Sequence, residues 1–197
     1  DMSFSEYRYL VLSDLYRIDG CHRWSDFIKE LFLGEGFKFN FWLRTCVYTR
    51  SNPWLKYFLY LPSKLFYNHY TYKLGISIPL STKIGPGFYI GHFGSIVVNG
   101  QCTIGSNCNI SHEVTLGQAN RGNKKGVPEL GDNVYIGPGA KLVGAVKIGN
   151  NVAIGANSVV TKDIADNSVV VGIPGKVISL DGANDYICRT DYNSVIN

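Results

Sequence analysis

The sequence has 197 residues, 45% of them hydrophobic, and a net charge of +4 from 19 Lys and Arg against 15 Asp and Glu. That length and apolar content suffice for a sizeable core in one domain plus a small appendage, which excludes a disordered chain. The cations are spread along the chain instead of gathered in one tract, so nucleic acid is not an expected partner.

Residues 1–73 are the first predicted unit, a helical capping region rich in aromatic and basic residues and poor in Gly. Leu10, Leu12, Leu15 and Tyr16 make one helical stripe, and Trp24, Phe27, Ile28 and Leu31 make a second. Ser25-Asp26 and Ser51-Asn52-Pro53-Trp54 are predicted helix starts, the latter from a capping side chain followed by Pro. The first residues carry acids where a secretory signal needs a basic stretch, so a cytoplasmic location is expected. The apolar run Trp54–Pro62 holds Lys56 and is too short to span a bilayer.

The aromatic and basic residues Phe37, Phe39, Phe41, Trp42, Arg44, Tyr48, Arg50, Trp54, Lys56 and Tyr57 leave two readings open. They cap the repeat that follows, or they touch the inner face of a membrane or a lipid-linked glycan. Five cysteines, Cys21, Cys46, Cys102, Cys108 and Cys188, are odd in number and lack a C-x-x-C pair, and are read as free thiols.

From about Ile76 an aliphatic residue recurs at every sixth position. Ile78, Ile84, Ile90 and Ile96 begin the series, which resumes after two extra residues at Ile104, Ile110 and Leu116. A loop over Gly117–Glu129 interrupts it, and Leu130, Ile136, Leu142, Ile148, Ile154 and Val160 continue it. Period six fits neither an amphipathic helix nor an alternating strand, and calls for a parallel β-helix in which three hexads close one triangular coil. The fold class is thus mainly β, with the coils over 74–179 and a C-terminal tail over 180–197. The Gly that so often follows the aliphatic residue is read as supplying turn conformations closed to other residues. Winding hand does not follow from the pattern, because the general crossover rule favours the right.

The scaffold accounts for every Ile, Val and Gly of the repeat, so chemistry has to come from other residues. His92 and His112 are each third in their hexads and one coil apart, which stacks two imidazoles about 5 Å apart, with Glu113 alongside. The polar thirteen-residue loop is either a cover for that site or a solvated bulge. Lys162 and Lys176, near the end of the repeat, either belong to a simple cap or suit the phosphates of a nucleotide-like cofactor.

Gly75-Ile-Ser-Ile-Pro, Ile90-Gly-His-Phe-Gly-Ser-Ile-Val-Val, Ser111-His-Glu-Val-Thr-Leu-Gly, Tyr135-Ile-Gly-Pro-Gly-Ala and Val171-Gly-Ile-Pro-Gly-Lys, in this order, resemble the hexapeptide-repeat acetyltransferases, and within them the serine acetyltransferase branch. The resemblance implies a left-handed β-helix and acetyl-CoA-dependent O-acetyl transfer without a metal. It implies that His92 acts as general base on an acceptor hydroxyl, a task suited to imidazole. It further implies a homotrimer that holds acetyl-CoA between subunits, against Pro138 and Ala156, with Gly117, Gln118, Ala119 and Lys176 as further candidates. Tyr89, Glu113, Asn120 and Arg121 are the acceptor-binding candidates. His112 assists His92, orients the acceptor or merely occupies its rung.

Serine acetyltransferases carry Asp where this chain has Ser77 and Gly91, and a serine-binding His where it has Val127. These departures point to the relatives that decorate surface polysaccharides, so a sugar hydroxyl is the expected acceptor, with serine as the alternative. Two rivals stand beside the enzyme reading: a zinc hydratase of the γ-carbonic-anhydrase type, which needs three His ligands, and an inactive scaffold.

Overall fold

The computed structural model describes residues 2–196. Five helices lead the chain: α1 (Phe4–Tyr16), α2 (Trp24–Leu33), α3 (Glu35–Ser51), α4 (Pro53–Phe58) and α5 (Tyr60–Leu74). Asn52 caps α4 as predicted, its Oδ1 accepting from the Trp54 and Leu55 amides at 3.2 and 3.3 Å with Pro53 in the first turn. In α2 the helix already begins at Trp24, because the Asp26 carboxylate turns back to accept the Arg23 amide at 3.1 Å. The predicted stripes are only partly inward. Val11 and Leu15 of α1 bury against Phe37, while Trp24 of α2 stays 75% exposed and Phe27 meets Phe37 and Phe41 edge-on.

After Gly75, which ends α5 in the left-handed region at φ 63°, short strands wind around three faces. The first face holds β1 (Ile76–Ser77), β4 (Ile96–Val98), β7 (Thr115–Gly117), β10 (Lys141–Val143) and β13 (Val159–Val160). The second holds β2 (Lys83–Ile84), β5 (Thr103–Ile104), β8 (Glu129–Leu130) and β11 (Lys147–Ile148). The third holds β3 (Tyr89–Ile90), β6 (Asn109–Ile110), β9 (Tyr135–Ile136), β12 (Ala153–Ile154), β14 (Val169–Val171) and β15 (Lys176–Ser179). Neighbours on each face pair in parallel, except that β15 runs antiparallel to β14. This is the left-handed β-helix of hexapeptide-repeat proteins, with the repeat aliphatics stacked as a continuous inner column.

The register corrects one detail of the repeat. Val98 pairs with Leu116, Leu116 with Leu142 and Leu142 with Val160, so Val98 and not Ile96 holds the rung position. The two extra residues therefore fall before Ile96, in the Phe93-Gly94-Ser95 turn, immediately beside His92. Ile96 and Val98 are both fully inward, and a two-residue slip along one strand face leaves the hydrophobic pattern intact.

The repeat glycines also serve a different purpose from the one expected. Gly85, Gly105, Gly131 and Gly149 are not in the left-handed region; that conformation falls two residues later, on Gly87, Asn107, Asn133 and Asn151. What excludes a side chain is the next coil: a Cβ on Gly105 would lie 2.4 Å from the Gly131 carbonyl oxygen. The asparagines then extend the stack, with Asn107 Nδ2 donating to Asn133 Oδ1 at 3.1 Å and Asn151 Nδ2 to Asn167 Oδ1 at 2.8 Å.

The first coil presents its carbonyls to the helices, which satisfy them with side chains. Arg44 donates to the Ile84 and Gly85 carbonyls at 2.7 and 2.6 Å, Asn40 to Phe88 at 2.9 Å, Arg17 to Gly87 at 2.9 Å and Tyr67 to Ile78 at 2.6 Å. An otherwise open end of a solenoid is thereby closed. Of the segment with two readings, Phe39, Trp42 and Arg44 belong to this cap, Phe37 and Phe41 pack against α1 and α2, and Trp54 and Tyr57 stand out in solvent, 80% and 82% exposed.

At the other end the chain turns back. Residues 180–196 run from the last coil up to α1, with Ala183 against Asn151, the Tyr186 ring stacked on Tyr135 at 4.4 Å, and the Cys188 carbonyl held by Arg17 at 2.7 Å. All five cysteines are free, and burial pushes the Cys46 and Cys102 thiols up to about 11 and Cys108 to about 12, which keeps them protonated and unreactive. Among the described residues no helix is long and apolar enough to cross a membrane.

Candidate active site

Ile90, Ile110, Ile136 and Ile154 stand in register on the third face. Two residues beyond each lies His92, His112, Pro138 or Ala156, so these four form one column along an edge of the prism. Backbone hydrogen bonds join the stacked turns: Glu113 N–H to the Gly94 carbonyl at 2.8 Å, Gly139 N–H to that of His112 at 3.0 Å, and Asn157 N–H to that of Pro138 at 2.8 Å. The two imidazoles meet edge to face with centroids 5.9 Å apart, somewhat wider than the strand spacing of about 5 Å because the rings are tilted by 73° to each other. His92 is exposed and His112 half-buried, and the His112 Nδ1 is buried without a hydrogen-bond partner. An orphaned ring nitrogen costs free energy that the scaffold has no reason to accept at an ordinary rung.

Glu113 carries a second such cost. Its φ is +60°, at a position where the later coils use Gly139 and Asn157. An L side chain outside Gly, Asn and Asp pays about 1–2 kcal/mol to adopt that conformation. The Glu113 carbonyl receives the Lys141 ammonium, which brings a cation to the same turn. Phe93, Gly94 and Ser95 complete it, with Gly94 and Ser95 also at positive φ, 112° and 52°. Sequence reading missed Lys141 and this widened turn; the misplaced two-residue insertion was the signal for the latter.

Above the column the start of α3 closes in. Gly36 packs so tightly on the third face that a Cβ there would sit 2.3 Å from the Ile90 carbonyl oxygen. A cleft of about 170 Å³ remains, lined by Tyr89, Gly91, His92 and Phe93 together with Glu30 and Glu35. Tyr89 therefore lies beside His92, as a candidate for acceptor contact should.

The loop after β7 is an ordered hairpin, which removes the solvated-bulge reading. Ala119 and Gly126 exchange both backbone hydrogen bonds at 2.9 and 3.0 Å, and Lys124 reaches the Asp163 carboxylate at 2.7 Å. Gln118 bridges Asn99 and Asn120, while Arg121 is exposed at the tip. Gly117 lies five residues beyond His112, about 16 Å of extended chain. The cofactor candidates thus divide between two edges of the first face: Pro138 and Ala156 stand on the imidazole edge, while Gly117, Gln118, Ala119 and Lys162 stand on the far one. Lys176 pairs with Val171, and Val171 covers Gly155, which puts Lys176 at the foot of the imidazole column. Among the described residues no three of His, Cys, Asp and Glu gather to hold a metal ion, and His22 and His69 belong to the helical part.

Residues 128–162 match the family described as bacterial transferase hexapeptide (six repeats). Over 108 residues the chain is 46% identical to a serine acetyltransferase of Staphylococcus aureus, which covers 55% of this chain and 51% of that one. The chain spans about half the length of the curated relatives it matches. Crystallised Neisseria gonorrhoeae serine acetyltransferase in complex with serine superposes with a TM-score of 0.69 at 27% identity, over 90% of this chain and 71% of that one. A serine acetyltransferase in complex with CoA gives 0.67 at 26% identity, over 87% and 68%. The chain has the left-handed β-helix fold of hexapeptide-repeat transferases. More narrowly, it is similar in sequence to serine acetyltransferases over 108 residues.

These likenesses overturn the expected sugar acceptor and the surface-polysaccharide role, since the relatives and structural neighbours are serine acetyltransferases. The departures at Ser77, Gly91 and Val127 are three single positions against a match of 108 residues. A recognition group lost at one position is replaceable by another that is close in space, and the turn after His112 holds Glu113, whose carbonyl receives the Lys141 ammonium.

Proposed function

We propose that this protein is a serine O-acetyltransferase, moving the acetyl group of acetyl-CoA to the hydroxyl of serine, with His92 as general base and a homotrimer as the working unit. The observation that carries the reading is the column itself: an exposed imidazole held in register above a second one, in a chain 46% identical over 108 residues to a serine acetyltransferase. His92 takes the serine hydroxyl proton as that oxygen bonds to the acetyl carbon, and returns it to the departing sulfur as the C–S bond breaks. Acetyl-CoA, when bound, supplies the thioester. His112 orients His92 from the rung below. Glu113 faces the ammonium of serine, the hairpin of the neighbouring subunit in the trimer brings Asn120 or Arg121 to its carboxylate, and Tyr89 closes the cleft above.

The two edges bearing the cofactor candidates flank one cleft only if a second subunit contributes. In a trimer of prisms the imidazole edge of one subunit, with Pro138, Ala156 and Lys176, faces the hairpin edge of the next, with Gly117 to Ala119 and Lys162. The lysines suit the phosphates, and the flat glycine-bearing turns suit an extended amide chain. Exposed Val97, 48% accessible on the first face, fits burial between subunits.

Purified protein mixed with acetyl-CoA and L-serine is expected to release free thiol, read with a disulfide dye, at a rate that saturates in serine. Thiol release at the same rate with and without serine contradicts the proposal. Glu113→Asn separates strain from function: it is expected to raise stability in a thermal melt by about 1 kcal/mol by relieving the left-handed glutamate, and to raise the KM for serine. Stability gained with the KM for serine unchanged would remove Glu113 from acceptor binding.

A further inference from the structure

Helix α5 is apolar on two opposite faces. Ser63, Tyr67 and Leu74, spaced by four and seven, are buried against α3 and the first coil. Leu61, Leu65 and Tyr72, with the same spacing, lie on the other side of the helix and are 67%, 62% and 84% exposed. The short α4 continues this surface with Trp54, Tyr57 and Phe58, exposed by 80%, 82% and 76%. A row of large apolar side chains turned away from the core is a binding surface or an aggregation hazard.

Charge decides what covers it. Between Glu35 and Glu113 the chain holds seven Lys and Arg and no Asp or Glu. Two of these cations, Lys56 and Lys73, stand exposed on the same two helices. Aromatic rings with one polar end, leucines, flanking lysines and a complete lack of acids match the headgroup region of an anionic bilayer. A protein partner would call for charges of both signs to set its register, and neither α4 nor α5 carries an acid.

We propose that α4 and the outer stripe of α5 dock on an anionic membrane surface, with Trp54, Tyr57, Leu61 and Leu65 entering the headgroup layer and Lys56 and Lys73 pairing with lipid phosphates. The inference is independent of the acceptor, because it uses none of the side chains assigned to acceptor or cofactor binding. The 197-residue protein is floated with phosphatidylcholine vesicles, with and without phosphatidylglycerol. Binding is expected only when phosphatidylglycerol is present and is expected to fall as salt rises. Lys56→Gln and Lys73→Gln each reduce partition by about fivefold. Leu61→Ser with Leu65→Ser abolishes it, while the thermal melt and thiol release from acetyl-CoA are unchanged. Absence of binding, or equal binding to both vesicle types, overturns the proposal. So does a fall in particle mass by light scattering in the double leucine variant with vesicle binding intact, because a second copy of the chain would then cover the face.

Discussion

Replacing His92 with asparagine is expected to lower turnover of acetyl-CoA and serine by about 10²–10⁴-fold, the range a positioned general base contributes. Asparagine keeps the size and polarity of the side chain near those of the imidazole but cannot accept and return the proton. Because His92 is exposed and makes no packing contact in the inner column, the melting temperature should stay unchanged. His112→Gln should cost less and act on kcat more than on the KM for serine, as a residue that orients the base would. If His112→Gln costs more than His92→Asn, the two imidazoles exchange roles. The edge-to-face pair makes that outcome geometrically available, since both rings sit on the same edge 5.9 Å apart.

The largest structural effect is expected from Arg44. Its guanidinium is almost fully buried, grips both carboxylate oxygens of Asp14 at 3.0 and 3.2 Å, and donates to the Ile84 and Gly85 carbonyls of the first coil. Asp14 in turn accepts the Phe88 amide at 2.8 Å, so one pair of charges joins α1, α3 and the first coil. Arg44→Ala strands that carboxylate in the interior and leaves two carbonyls unpaired, for a loss of about 3–5 kcal/mol. In a chain of this length that amounts to a fall of about 10 °C in the melting temperature.

The loss should depend on pH. Burial pushes the Asp14 carboxyl above its ordinary value even with Arg44 and Arg17 beside it, and removing Arg44 pushes it further the same way. A carboxyl whose folded value is raised favours the fold when protonated and opposes it when ionised. The gap between Arg44→Ala and the parent should therefore be widest at neutral pH and narrow as pH falls through the raised value. A gap independent of pH would mean that lost packing, and not the stranded charge, sets the cost.

Much of the fold was legible because a six-residue rhythm has few physical solutions, and the inner column of Ile, Leu and Val follows from it directly. The rung at Ile96-Val97-Val98 was not, because two inward aliphatics two residues apart satisfy the pattern equally and only the pairing with Leu116 separates them. The hairpin after Gly117 escaped notice because its one closing pair, Ala119 and Gly126, carries no hydrophobic signal. The return of residues 180–196 to α1 depends on single anchors such as Tyr186 on Tyr135, which no local spacing announces.

The site divides in the same way. The stacking of His92 over His112 came from counting residues per coil, whereas the strain at Glu113 and the approach of Lys141 are facts of backbone angle and packing. The acceptor was misread because missing side chains were weighed one position at a time, and a binding site is a property of what surrounds a point in space.

A crystal structure of the protein with CoA bound tests the account most directly. The sulfur should lie within reach of the His92 ring, with Pro138, Ala156 and Lys176 of one subunit on one side of the cofactor and the hairpin edge of a neighbouring subunit on the other. A sulfur on a different face of the prism, away from both imidazoles, would contradict it.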